Sequence, residues 1–523
     1  MNRRVLALEG VIVLAVLVGL HSGWATGSVG GGFHPGHVWA VDQVAAMMSG
    51  AESWSGWTRR IGAPDPVHLR LIGWAPLLIA APLSWVMDTG YAMWVAMALG
   101  FALTARVTAA LLERVSGADP WVASASAWVY TLSPFALGVL ANGQLAKMQL
   151  WCLPWILLIA DKGLRSGFTM PRVVALWVAS VVTGFTSPSV GLIVPVALGV
   201  WVVLRAGRTR MGGVGAVVSL VAVAAGLAVP WLVHTVEVTG TAGLVPAAPV
   251  PGLNHPAALS PVATMGSLVI ATGPWDGIQS AINNVSGIGV VALLAAIPSL
   301  VVARWSARLG VSLLAVGGIC ALGPTINALG YKWVLPAQLM EWTGYPIVQS
   351  GMYYRFAQLA ALGLALVLCE GCRRIPRHAW AVAALVAGLN AAENIRETST
   401  LWPRMLRAIP HAAIMQAMAD DPVEGSVVEL PLGHLDTEGE RRLLGQLIHG
   451  RDTTVLARNM VVIGQPRLER IARLIDQPSA LRSAGFRYIL LHEPSRNREA
   501  FRQLTLTYGP SQGSRQLGMW VVP

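Results

Sequence analysis

A series of long apolar runs, separated by short polar turns, constrains the fold of this chain more than any other feature. A helix needs about 20 mostly apolar residues to cross the hydrocarbon core of a bilayer, so the runs predict about eleven membrane-spanning helices. The first run resembles a signal peptide, but the many later runs favour an uncleaved first helix. The runs cover residues 5–20, 90–113, 120–136, 145–160, 173–187, 188–204, 213–235, 286–303, 308–323, 352–370 and 379–393.

Composition supports a polytopic membrane protein. Of the 523 residues, 54% are hydrophobic and only 12% are charged, whereas soluble domains carry about 25% charged residues. The formal net charge of +11 comes mostly from short turns between apolar runs. That distribution is the positive-inside pattern of membrane proteins, and it argues against a nucleic-acid-binding surface. The four cysteines lie in apolar runs or at one basic turn and predict no disulfide framework.

The basic turns also predict the topology. Positive charges occupy alternate turns, at 113–114, 161–165, 205–210, 303–308 and 371–378, on the same side as the N-terminal MNRR. This side is expected to be cytoplasmic. The other side then receives the loops 22–89, 236–285 and 324–351. The apolar segment 71–87 would invert every later turn if it spanned, so we interpret it as a re-entrant or interfacial piece interrupted by Pro76 and Pro82.

The chain changes character after about Glu393. The segment 394–523 carries many charges and no long apolar run, so we predict a transmembrane domain over 1–393 and a small extracytoplasmic α/β domain over 394–523. Strands are predicted for SVVELPL (426–432), GFRYILLH (485–492) and LGMWVVP (517–523), and helices for GERRLLGQLIHG (439–450) and for about Leu468 to Ser483.

The first long outer loop, about Ser22 to Thr89, gathers many ionisable groups between apolar runs. Within it, Val38–Met48 is predicted to form an interfacial amphipathic helix. Asp42 flanks the apolar face of this helix and could point into a cavity, or it could be solvated and inert near the helix start. The apolar face holds Val41, Val44, Ala45 and Met48, and the loop's ionisable groups include Asp42, Glu52, Asp65, His34, His37, His68, Arg59, Arg60 and Arg70.

Several short motifs along the whole chain carry a family resemblance. They are IAAPLSWVMDTGYAM (79–93), SPFALGVLANGQLAKMQLWCLPW (133–155), ALGPTINALG (321–330) and MYYRFAQLAALGLAL (352–366), with VVELPL, LIHG and AGFRYILLH in the tail. Together with the acidic loop after the first helix, they resemble the GT-C glycosyltransferase superfamily, and among its members the bacterial YfhO-like membrane proteins. A GT-C-like fold with an extracytoplasmic C-terminal domain is therefore expected.

The resemblance implies a sugar donor linked to polyprenyl phosphate or diphosphate, and transfer on the extracytoplasmic face of the bacterial inner membrane. An acidic residue of the first loop would act as base or orient a metal, since the acceptor hydroxyl must lose a proton as the sugar–phosphate bond breaks. Basic groups would stabilise the departing phosphate. The candidate catalytic residues are Asp42, His37 and Glu52, and the candidate substrate-binding residues are Arg59, Arg60, Asp65, His68, Arg70, Gln144, Lys147 and Arg355.

Alternatives stay open for several of these residues. Turn chemistry in PDP explains Asp65, and Arg355 is either a phosphate ligand or a snorkelling anchor beside two tyrosines. The related proteins often have Gly-Asp where this chain has Gly36-His37, so His37 would replace an acidic base, or the chain is a non-catalytic scaffold for envelope glycoconjugates. His34, His37 and Asp42 could hold a divalent metal, with no third ligand fixed by the pattern. A transporter or flippase is the third alternative.

Overall fold

We analysed a computed structural model of the chain. The structure describes residue 10 and residues 35–54, 57–58, 60–61, 63, 67–68, 73–141, 149–206, 212–240, 290–300, 305–322, 325–328, 331–342, 353–375, 378–398, 409, 411–432, 437–454, 466–514 and 516–523. The predicted first span and most of the loop 236–285 lie outside these residues.

Helices occupy most of the described chain before residue 400, and many of them overlap the predicted apolar runs, whereas α1, α2 and α12 lie in the segments predicted as loops. Side-chain caps set some of their ends: Asp88 accepts a hydrogen bond from the backbone N–H of Gly90 at 2.9 Å, and Asp119 accepts one from Trp121. The helices are α1 Pro35–Ser49, α2 Trp74–Leu83, α3 Thr89–Ser116, α4 Pro120–Thr131, α5 Pro134–Ala141, α6 Cys152–Ser166, α7 Met170–Thr186, α8 Pro188–Ala206, α9 Gly212–Gly240, α10 Val290–Leu300, α11 Trp305–Ala321, α12 Gln338–Trp342, α13 Ala357–Cys372 and α14 Ala379–Thr398.

Among the described residues, two helical segments, Thr89–Ser116 and Gly213–Pro230, are long and apolar enough to cross a membrane, and six further apolar helices are shorter. The predicted count of about eleven spans is therefore not established by helix length and stays a prediction. The segment 71–87 contains the short helix α2 followed by a turn. This form fits the predicted re-entrant piece without testing its place in a membrane.

Glycines let two helices of the bundle approach each other closely. A Cβ atom at Gly317 of α11 would lie 2.4 Å from the backbone nitrogen of Ala360 in α13, and one at Gly363 would lie 2.4 Å from that of Leu314. No side chain fits in such gaps, so backbone meets backbone along this seam, as in many membrane helix pairs.

Short strands occur in the connections of the bundle, and a larger sheet occurs in the tail. The tail sheet has the order β5-β6-β7, with β5 parallel to β6 and β6 antiparallel to β7. One face packs Val428, Ile489 and Trp520 into an apolar core, and the other turns Val427 and Leu490 toward a second cluster. The strands are β1 Trp57–Thr58, β2 Val67–His68, β3 Thr325–Ala328, β4 Tyr331–Val334, β5 Ser426–Leu430, β6 Phe486–His492 and β7 Leu517–Val521.

The helices of the tail match the prediction in part. The helix predicted over 439–450 is confirmed as α16, whereas the one predicted from Leu468 to Ser483 is wrong as a single element. It is two short helices, because the turn before Pro478 ends the first and Pro478 starts the second. The tail helices are α15 Ala412–Asp420, α16 Thr437–His449, α17 Pro466–Leu474, α18 Pro478–Ser483 and α19 Arg498–Tyr508.

Candidate functional site

Helix α1 carries the candidate catalytic carboxylate and is buried on nearly every side. It packs against α2, α3 and α16. Gln43 and Trp39 are fully buried within it. The predicted amphipathic pattern is therefore wrong in detail: Met48, placed on the apolar face, is 38% exposed, whereas polar Gln43 is buried. The reason is that α16, from the far end of the chain, covers the side of α1 that an interfacial helix would leave open.

Three of the predicted site residues meet in one polar network. The guanidinium of Arg60 forms an ion pair with Asp42 and donates a second hydrogen bond to the side-chain oxygen of Gln43, at 3.2 Å. The amide of Gln43 in turn donates to the carboxylate of Glu52 at 3.4 Å. The Arg60 guanidinium also lies 5.9 Å from the ring centroid of Trp39. The Asp42 side chain is 34% exposed, so a substrate can reach it.

A single glutamine of the tail holds this network in place. Gln446 of α16 is fully buried. Its side-chain oxygen accepts a hydrogen bond from the Trp39 indole at 2.5 Å, and its amide donates to the carbonyl oxygens of Arg60 and Arg451. Next to it, the backbone N–H of Thr453 donates to the same Arg60 carbonyl at 3.0 Å. The tail thus fixes the backbone position of Arg60 and, through it, the partner of Asp42.

Behind Gln446 lies a buried acid–histidine group in the tail. The carboxylate of Glu429 is 2.7 Å from the Nε2 atom of His492 and accepts a hydrogen bond from the Thr453 hydroxyl at 3.1 Å. Burial lowers the pKa of His449 to about 4, an effect that nearby Glu429 opposes and Arg451 reinforces. Since Glu429 and His449 occupy a strand and a helix end that support the first loop, the structure gives them a supporting position.

Arg355 lies at a different place in the bundle. It occupies the 3-10 turn Tyr353–Phe356 just before α13 and is 8% exposed, and its Nε atom has no hydrogen-bond partner among the described residues. The amide of Gln358, one turn later, is fully buried and also lacks a partner within the described ranges. In the part of the chain that the structure describes, no hydrogen bond or ion pair joins Arg355 to the Asp42–Arg60 pair.

The remaining candidates are placed only in part. His37 lies in the first turn of α1 and is half-buried, and His68 lies in β2, where its backbone pairs with Trp57. No group of three His, Cys, Asp or Glu side chains that could hold a metal ion occurs among the described residues. The predicted site residues Arg59, Asp65, Arg70, Gln144 and Lys147, and the possible metal ligand His34, lie outside the described residues.

Sequence reasoning missed the amide and indole groups that organise the site. Gln43 was the one available signal near Asp42, because it is a polar residue in a helix of apolar neighbours. Gln446 carries no such signal, since an amphipathic helix of the tail is expected to contain glutamine. Its pairing with Trp39, 407 residues away, follows only from the fold.

Comparison with solved structures identifies the fold. The chain superposes on the mycobacterial arabinofuranosyltransferase AftD with a TM-score of 0.55 over 94% of its length, at 15% identity. It superposes on the oligosaccharyltransferase AglB of Archaeoglobus fulgidus, solved with an inhibitory peptide and dolichol-phosphate, with a TM-score of 0.52 over 97% of its length, at 11% identity. The chain spans 37% of the first protein and 71% of the second.

The chain therefore shares its fold with an arabinofuranosyltransferase and an oligosaccharyltransferase, as the GT-C-like fold expected from the sequence requires. No protein-family profile matches the chain, and no curated protein matches its sequence. At these identities the likeness concerns the fold. What the chain does has to be argued from its own residues.

Proposed function

We propose that this chain is an integral-membrane glycosyltransferase of the GT-C type, similar to the YfhO-like proteins. It transfers a sugar from a polyprenyl-phosphate-type lipid to an envelope glycan, lipid or protein on the extracytoplasmic face of the inner membrane. The fold supports this proposal, and so does the dolichol-phosphate bound to AglB, which has that fold. The observation that carries it is the reachable Asp42 carboxylate with the Arg60 guanidinium beside it.

The pair supplies the two groups that the transfer requires. Asp42 accepts the proton of the acceptor hydroxyl while the hydroxyl oxygen forms a bond to the anomeric carbon of the sugar. The bond between that carbon and the phosphate oxygen breaks, and the electron pair leaves with the polyprenyl phosphate. Arg60 then turns from the protonated carboxyl toward the new phosphate charge. Arg355 is proposed as a second phosphate ligand at the outer end of α13.

Topology completes the proposal. With about eleven spans and a cytoplasmic N-terminus, the loop 22–89 and the tail 394–523 share the extracytoplasmic side. The hydrogen bonds from Gln446 and Thr453 to Arg60 support that shared side, because they join the first loop to the tail. A reporter fused after Arg396 is expected to read extracytoplasmic, and a cytoplasmic signal would overturn the orientation.

Substitution of Asp42 tests the function. The purified protein is given a panel of polyprenyl-phosphate sugars with envelope extract as acceptor, and release of polyprenyl phosphate is measured. Asp42→Asn is expected to lower the rate by at least about 100-fold, the usual contribution of a general base, while Glu113→Gln, an exposed carboxylate at the other end of the bundle, leaves it unchanged. Full activity in Asp42→Asn, His37→Gln and Glu52→Gln would remove these residues from the catalytic role. No release by the unchanged protein with any donor of the panel would leave the scaffold alternative, which the Asp42–Arg60 ion pair also fits.

A further inference from the structure

An apolar groove opens on the outside of the bundle between α7 and α9, far from the site described above. The two helices touch near Gly226, where a Cβ atom would lie 2.6 Å from the Ser180 side chain. Residues of both helices before this contact line a cavity of about 470 Å³. Val217 and Val221 are each 61% exposed, so the groove faces outward. Its lining includes Val173, Val174, Trp177, Val217, Val221 and Ala225.

Close to the groove, three arginines converge on one buried carboxylate. Asp161 near the end of α6 is fully buried, and its oxygens lie 3.3 Å from the Arg114 Nε, 2.7 Å from the Arg165 Nε and 3.0 Å from an Arg205 Nη. Arg205 also stacks on the Trp305 ring, 3.8 Å from its centroid, and Arg165 donates a hydrogen bond to the carbonyl oxygen of Arg114 at 3.0 Å. The Arg165 side chain is 34% exposed, so this edge of the cluster is accessible.

Arg172 joins the start of the groove in α7 to the end of α6, which carries Arg165. Arg172 directly precedes the groove residue Val173, and its Nη1 atom donates to the carbonyl oxygens of Gly167 at 2.6 Å and Ser166 at 3.3 Å. These bonds hold the guanidinium at the end of the groove, and among the described residues its Nε and Nη2 atoms make no hydrogen bond.

Charges of both signs lie near these arginines. Lys162 and Glu113 are both exposed at the same helix ends and offset each other. Arg165, which is 34% exposed, and Arg172 present guanidinium groups at the end of the groove. An apolar channel that ends at accessible guanidinium groups has the polarity of an anionic phospholipid, with hydrocarbon on one side and a phosphate on the other.

We propose that this groove and its basic end form a binding site for an anionic glycerophospholipid. One acyl chain lies between α7 and α9, and the phosphate and headgroup face Arg172 and the Arg165 edge of the cluster. The inference rests on the membrane placement in the proposed function, and on the positive-inside topology that puts these helix ends at the cytoplasmic leaflet. It does not depend on the proposed catalytic role of Asp42.

Headgroup charge separates a built site from ordinary lipid contact, because any outward groove in a bilayer fills with some acyl chain. The full-length protein, purified in mild detergent, is titrated with palmitoyl-oleoyl phosphatidylglycerol and with the matching phosphatidylcholine, and bound lipid is counted by native mass spectrometry. The anionic lipid is expected to bind about tenfold more tightly, which corresponds to about one charge-assisted hydrogen bond.

Two variants test the two halves of the site. Arg172→Gln is expected to remove most of the preference for the anionic lipid, whereas Arg172→Lys is expected to keep much of it. Val221→Trp, which fills the groove, is expected to weaken the binding of both lipids equally. The matched controls are Arg308→Gln, an exposed arginine at the start of α11, and Val203→Trp, an outward residue of α8 that is 76% exposed. Neither control is expected to change lipid binding. Gel filtration verifies that each variant is folded.

Each other outcome has a defined meaning. Equal affinity for the two lipids, or the same loss in Arg308→Gln as in Arg172→Gln, overturns the site. Displacement of the lipid by free glycerol phosphate at equal concentration would show a plain anion site and overturns the assignment to a lipid. Failure of both lipids to bind also overturns the site, and it leaves the proposed function to its own test, the release of polyprenyl phosphate. Loss of transferase activity in Asp42→Asn bears on neither result.

Discussion

The tail is expected to hold the first loop through Gln446, and the strength of that hold can be worked out from its hydrogen bonds. The side chain makes three buried bonds, with the Trp39 indole and with the carbonyl oxygens of Arg60 and Arg451. At about 1 kcal/mol net for each, Gln446→Leu should lower the free energy of local opening of this region by about 3 kcal/mol. Amide exchange in α1 should then be faster by about two orders of magnitude.

Hydrogen–deuterium exchange followed by mass spectrometry measures this directly on peptides that cover α1 and α16. The matched control is Gln416→Leu on α15, because the Gln416 amide bonds only the exposed Asp420 carboxylate. A surface change of that kind should alter stability by less than about 0.5 kcal/mol. Unchanged exchange in α1 of the Gln446→Leu protein would refute the reasoning.

A double-mutant cycle isolates the bond between the two ends of the chain. Trp39→Phe keeps an aromatic ring in the buried position and removes the indole N–H together with part of the ring, a loss of volume that is common to the single and the double variant. If the 2.5 Å hydrogen bond contributes as expected, the effects of Trp39→Phe and Gln446→Leu on the opening free energy should miss additivity by about 1 kcal/mol. Strict additivity would show that Gln446 acts through Arg60 and Arg451 alone.

Two further predictions concern stability. Burial lowers the pKa of His449 from 6.5 to about 4. The contribution of neutral His449 to the free energy of unfolding is therefore fully present above about pH 6.5, and up to about 3 kcal/mol of it is lost as the pH falls toward 4. His449→Gln should flatten the fall in melting temperature between pH 6.5 and pH 4, and an unchanged slope would contradict this. Gly317→Leu should destabilise the bundle by about 1–3 kcal/mol, because its Cβ meets the Ala360 backbone. Gly388→Leu is the control, since a Cβ at Gly388 has open space around it. Equal thermal stability of the two variants would count against the packing argument.

Local signals predicted the helices of the bundle well. The run 90–113 became α3, Thr89–Ser116, because an apolar run also had a capping aspartate at one end, and Gly117, in the left-handed region at φ 65°, at the other. The tail strands were equally readable, since β-branched and aromatic residues cluster between turn residues. The helix predicted over 468–483 is two helices in the structure, because Pro478 starts a new one although the apolar periodicity continues.

The environment of α1 could not be read in this way. Its sequence is compatible with an interfacial helix that exposes one side to solvent. The apolar pattern of Val41, Val44 and Ala45 is the same whether the opposite side contacts water or protein. The burial of that side is determined by α16, which lies about 400 residues later in the chain and brings a buried glutamine to the Trp39 indole. Long-range packing of this kind leaves no local signal, so the sequence predicts Asp42 as a candidate but does not predict its partners.

The contacts of Arg60 change how the division at residue 393 should be understood. Composition separates the apolar bundle from the charged tail, but the candidate site crosses that boundary. Arg60 is tied to Asp42 by its side chain and to Gln446 and Thr453 by its carbonyl oxygen. A carboxylate that works against a guanidinium depends on the position of that partner, because misplacement by about 1 Å can cost catalysis about 100-fold. Under the proposed function, the tail is therefore a structural part of the active site, and substitution of Gln446 should affect transfer through the position of Arg60.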